Sequence, residues 1–142
     1  MKVKYEERRY RSLINNDNLI HYQVKIGESD LFIGSDQNLY EPAFQSLLRY
    51  RNSIENYILR VPIFRTTLLP LPEDPLAPAI VRKMLACAKI CGVGPMAAVA
   101  GAVAEFVGND LMELSSNIVI ENGGDIFLKT INNSIVSIFA GE

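Results

Sequence analysis

Two glycine-bearing stretches, Gly92-Val93-Gly94-Pro95 and Asn122-Gly123-Gly124-Asp125, bracket the part of the chain whose residue types could do chemistry. The first opens onto a run of small residues from Met96 to Ala104, closed by Glu105. Glycine permits backbone conformations and close approaches that a side chain forbids. A helix that starts after glycines leaves N–H groups free, and these suit an anion such as phosphate. The amides of Gly94, Met96 and Ala97 are therefore candidate phosphate ligands. In the second stretch, Gly123 and Gly124 would let a strand turn approach a ligand. Asp125, with Glu121 and Asn122 before the glycines, would supply polar or metal-linked contacts.

Each stretch also has an architectural reading. Asn-Gly is a favoured two-residue hairpin turn, with apolar strand-like residues on both sides here. A glycine closing one helix and a proline opening the next would account for Gly92 to Pro95. That loop has neither the lysine of a P-loop nor the spacing of a dinucleotide fingerprint. On residue types alone both readings stand.

Little else offers chemistry. Cys87 and Cys91, four residues apart, share a helix face; with His21 the only histidine, they find no further ligands for a metal. Arg8, Arg9 and Arg11 follow Glu6 and Glu7 and read as a solvated, salt-bridged strand. A net charge of −2 argues against a general nucleic-acid binder. From Met84 to Ala104 the only charge is Lys89, but the Gly-Val-Gly-Pro break leaves two halves each too short for a membrane. With no apolar signal segment at the N-terminus, a cytoplasmic location and no membrane partner are expected.

The elements that must position these stretches follow from periodicity. Val3–Arg11, Leu19–Ile26 and Leu31–Ile33 read as strands with short turns between them, an antiparallel meander. A helix is predicted from Glu41 to Ile58, with Phe44, Leu47, Leu48, Ile54 and Ile58 on one stripe. The proline-punctuated segment after it is extended, with a strand over Ile63–Leu69. Asp74-Pro75 reads as the N-cap and first residue of a helix reaching Ile90 or Cys91. A second helix runs from near Pro95 to just before Gly108. Ile118–Ile120, Ile126–Leu128 and Ser134–Phe139 complete a second meander. At 142 residues this is one α+β domain, antiparallel sheet meanders with packed helices.

The order of a glycine loop, a small-residue helix and an apolar strand ending in Gly-Gly-Asp-Ile resembles the ApbE-like family, whose best-known members are flavin transferases. Ala97 to Glu105 is similar to that family's Gly-Ile-Ala-Lys-Gly-Tyr-Ala helix segment, with Gly101 and Glu105 at its glycine and aspartate. Ile120 to Ile126 is similar to its Asn-Ala-Gly-Gly-Asp-Ile turn. The resemblance is greatest to an uncharacterised ApbE-like subfamily, over essentially the whole chain. It implies a nucleotide-type ligand, FAD or FMN first, with Mg²⁺ as a companion ion, and a relation to FAD:protein FMN transfer. It also implies that residues 1–142 lack a C-terminal half found in relatives. Ala100 stands where that family has its lysine. A truncated sheet with open edges favours a homo-oligomer, or pairing with the other half, and a purely structural role is the competing expectation.

Overall fold

The computed structural model describes residues 18–136. Its order is β1 (Ile20–Ile26), β2 (Ser29–Ser35), α1 (Tyr40–Arg60), α2 (Ile63–Thr66), α3 (Ala79–Cys91), a 3-10 turn (Pro95–Ala98), α4 (Val99–Leu111), β3 (Ile118–Asn122) and β4 (Asp125–Lys129). The four strands form one antiparallel sheet in the order β1-β2-β3-β4. The fold is α+β. Two hairpins, β1–β2 and β3–β4, join through β2 and β3, and the helices are inserted between them.

Alternation in the strands sets one sheet face against the helices. Val24, Leu31, Ile33, Ile118 and Ile120 are all fully buried there. The row Tyr22, Ile33, Ile120 and Phe127 crosses the whole sheet in register. Along α1, Ala43, Leu47, Ile54 and Tyr57 recur at four, seven and three residues and join the same core. Asn38 Oδ1 accepts from the Tyr40 N–H at 2.9 Å at its start, and Pro62 prevents its extension.

Helices α3 and α4 are separated by a sharp reversal. Gly92 takes φ +69°, and its N–H and that of Val93 both donate to the Ala88 carbonyl. That left-handed residue closes α3 at little cost because it has no Cβ. Pro95 then opens the 3-10 turn that leads into α4. The two helical stretches meet at 108°, and no single helix among the described residues is long and apolar enough to cross a membrane.

Several elements differ from the sequence reading. Ile63–Thr66 is a short helix, not a strand: Pro62 sits at φ −58°, suited to helix initiation, and Thr67 N–H donates to Ile63 O. Asp74-Pro75 begins a turn and not α3. Asp74 Oδ1 accepts from the Leu76 N–H at 3.0 Å and its carbonyl from Ala77 N–H, so the helix waits for Ala79 after Pro78. α4 continues through Gly108 to Leu111. Ser134–Val136 is not strand, while the rest of that segment and Val3–Arg11 lie outside the described residues.

Candidate functional site

The hairpin Asn122-Gly123-Gly124-Asp125 is a two-residue turn between paired Asn122 and Asp125. Gly123 and Gly124 have φ of +62° and +101°. Positive φ at both central positions is the signature of the type I′ turn that matches strand twist. Both glycines are therefore demanded by the hairpin itself. A Cβ on either would meet nothing within 4 Å, so no close approach adds to the demand. The Gly124 N–H donates to Glu121 Oε1 at 2.9 Å, which fastens the turn. Glu121 alternates with Ile120 and Asn122 and so sits on the sheet face away from the helices, where it is 3% exposed.

Asn122 points the other way. Its Nδ2 donates to the Ala100 carbonyl of α4 at 3.0 Å, tying the second glycine stretch to the helix that follows the first. Beside this tie, the Asp125 carboxylate lies over Gly101, and a Cβ on Gly101 would stand 3.5 Å from Asp125 Oδ1. Two turns further along α4, the Phe127 ring covers Gly108 so closely that any Cβ there would overlap it.

These contacts bound an open groove of about 460 Å³, within the size range of small-molecule sites. Its floor is one stripe of α4 and the preceding turn: Ala97, Gly101, Glu105 and Asn109 at intervals of four, widened by Ala98 and Ala102. One wall is α3, through Lys83 and Cys87, and the other is β4 from Asp125 to Phe127. Lys83 Nζ donates to Glu105 Oε1 at 3.1 Å. That hydrogen bond, with the carboxylate charge behind it, holds the Lys83 ammonium above its ordinary pKa. No group of three or more His, Cys, Asp or Glu among the described residues could hold a metal ion.

The groove thus brings together Ala97, Gly101 and Asp125 of the residues singled out in the sequence. Others do different work. A Cβ on Gly94 would overlap the Thr67 carbonyl oxygen, so that glycine lets the loop lie against the segment after α2. The Ala97 N–H is spent on Gly94 O at 3.1 Å, and Met96 packs against the core. Glu121, Gly123 and Gly124 build the turn, and Asn122 anchors it. Lys83, Cys87 and Asn109 were not singled out as site residues. Lys83 and Cys87 share a face of α3, and Asn109 continues the four-residue spacing from Ala97, which is the signal they carry. His21 lies on the far sheet face, stacked on Phe32 at 5.5 Å, with a buried Nε2 that has no hydrogen-bond partner.

A family model described as "AbpE bacteria" matches residues 11–142. A UPF0280 protein of Methanococcus aeolicus is 42% identical over 126 residues, 87% of this chain and 51% of that protein. A UPF0280 protein of Methanocaldococcus jannaschii is 41% identical over 121 residues, 84% of this chain and 49% of that protein. One of Methanococcoides burtonii is 31% identical over 123 residues, 86% and 52% respectively. The chain belongs to the UPF0280 family. It spans about half the length of these relatives, and the family is uncharacterised.

This membership corrects the assignment to the ApbE-like flavin transferases. The physical reason lies in the residues that carried the resemblance. Gly123 and Gly124 are what a type I′ hairpin requires, and Asn122 is what ties that hairpin to α4. Such residues recur wherever that geometry recurs, so they do not discriminate between families. The lysine that would have been more specific is Ala100 in this chain.

Proposed function

We propose that the α3–α4–β4 groove binds a small nucleotide-type ligand, with FMN and FAD as first candidates. The observation that carries this reading is Gly101. Glycine in a helix interior costs about 1 kcal/mol relative to alanine. Gly92, Gly123 and Gly124 lie outside helix interiors at positive φ, and Gly108, inside α4, is accounted for by the Phe127 ring. Gly101 has neither a positive φ nor a tight neighbour, because its nearest contact is the exposed, movable carboxylate of Asp125. The fold does not need a glycine there; a ligand lying against the helix would.

The surroundings suit a flat ring with polar edges. Ala97, Ala98, Gly101 and Ala102 offer a floor no taller than a methyl group. Asp125 accepts hydrogen bonds from ring N–H groups or ribose hydroxyls, and Lys83 offers charge to a phosphate. A Mg²⁺ ion would be held by phosphate and a single carboxylate, as this ion often is.

The test is the melting temperature with FAD, FMN and ADP, each with and without Mg²⁺. A ligand 100-fold above its Kd adds about 2.7 kcal/mol to stability. A shift with a nucleotide that Gly101→Leu abolishes supports the reading; no shift with any of the three overturns it.

A second reading has its own observation. Leu59, Leu68, Leu69, Leu76 and Ile90 are each at least 70% exposed. Leu68 lies against Gly94, so Leu68, Leu69 and the end of α3 share one side of the molecule. Exposed apolar surface of this kind marks contact with other protein, and self-association is the form we test, by light scattering across concentration. A monomer at every concentration would remove it.

A further inference from the structure

The groove holds one positive charge among its lining residues, Lys83, against the two carboxylates of Glu105 and Asp125. Lys83 stands on the α3 wall and Asp125 on the β4 wall, with α4 between them. An anionic group placed near Asp125 would meet like charge, whereas near Lys83 it would meet the one cation among the described lining residues. We propose that Lys83 selects the ligand's anionic end, by exchanging its Glu105 partner for a phosphate, and so fixes the ligand's orientation with its hydrogen-bond donors toward Asp125. This rests on the groove being the nucleotide site.

Three features make the exchange feasible. The Lys83 and Glu105 side chains are 43% and 40% exposed, so their bridge is of the weak, solvent-screened kind that opens at little cost. The pair links α3 to α4 without joining the buried core, so opening it disturbs no packing. A doubly charged phosphate is a stronger acceptor for an ammonium than a single carboxylate oxygen. Glu105 then has a defined role as a placeholder: it keeps Lys83 over the groove when the site is empty and competes with the ligand when it fills.

The experiment compares FMN with riboflavin, which shares the ring and lacks the phosphate, by titration calorimetry on wild type, Lys83→Met and Glu105→Gln. Lys83→Met weakens FMN binding by about tenfold or more, the worth of a charge-assisted hydrogen bond, and leaves riboflavin within about twofold. Glu105→Gln frees the ammonium and tightens FMN by about two- to fivefold with riboflavin again unchanged. Equal losses for both compounds in Lys83→Met, no loss for FMN, or weaker FMN binding in Glu105→Gln would each overturn the role of Lys83 while leaving the groove as the site. If wild type binds neither compound, the reading of the groove falls and this inference falls with it. Both side chains are exposed and outside the core, so the variants fold, as unchanged melting without ligand verifies.

Discussion

Asn122 on β3 donates its side-chain N–H to the carbonyl of Ala100 on α4 at 3.0 Å, and this single bond locks the hairpin turn to the helix that floors the groove. Asn122 is 8% exposed, so its amide has little water to fall back on. Asn122→Ala should lower stability by about 1 kcal/mol, the usual net worth of such a bond. Asn122→Asp should cost more, since a carboxylate cannot donate and would face a carbonyl oxygen. Urea unfolding of the two variants beside wild type reads the order directly; equal stability in all three would mean that the tie contributes nothing.

The two helical glycines of α4 should respond in opposite directions. Gly101→Ala places a Cβ at ordinary contact distance and gains helix propensity, so the unliganded protein should become more stable by up to about 1 kcal/mol. Gly108→Ala drives a Cβ into the Phe127 ring and should destabilise by about 1–3 kcal/mol. Thermal melts distinguish them. A destabilised Gly101→Ala would mean that the fold itself requires the glycine, and would remove the observation on which the ligand reading stands.

The turn glycines carry a different requirement. Gly123→Ala and Gly124→Ala each force a Cβ into the left-handed region, at a cost of about 1–2 kcal/mol. Gly124→Asn should cost less, because asparagine tolerates that region better. If alanine were harmless at both, the turn would not have the backbone its register implies.

How much of this could be read from the sequence differs by element. α1 shows its stripe plainly because twenty-one residues give several turns of periodicity. α2 has only four residues, and its β-branched Ile63 and Thr66 favour strand on propensity, so the proline before it had to be weighed against them. Pro75 and Pro78 both suit a helix start, and only the hydrogen bonds of Asp74 decide for the later one. In the groove, Gly101 and Asp125 were visible as types in a pattern. Lys83 was not, because its place beside Glu105 depends on the 108° bend that brings α3 against α4. The turn glycines misled in the other direction: a conformational demand looked like a binding motif.

Acid should destabilise the protein partly through Asp36. Its carboxylate accepts from the Ser115 hydroxyl, the Ser116 and Asn117 N–H groups and the Asn117 amide, and these bonds, Asn117 foremost, hold its pKa below the ordinary aspartate value. A lowered folded-state pKa means that the contribution is complete above the unfolded value near 3.9 and is lost as pH falls through the folded one. Asp36→Asn should therefore flatten the stability–pH curve below about pH 4. An unchanged acid limb in that variant would assign the loss elsewhere, to groups such as Glu73 beside Lys89.

The central claim is that the groove between α3, α4 and β4 is where ligand sits, and the two cysteines provide the most direct measurement. Cys87 lines the groove, while Cys91, one turn on, is exposed and outside it. Alkylation of each thiol by a maleimide, followed by mass spectrometry with and without saturating FMN, gives two rates on one molecule. The account predicts that FMN slows modification of Cys87 and leaves Cys91 at its original rate. Equal rates with and without FMN at Cys87, or equal slowing of both thiols, would contradict it.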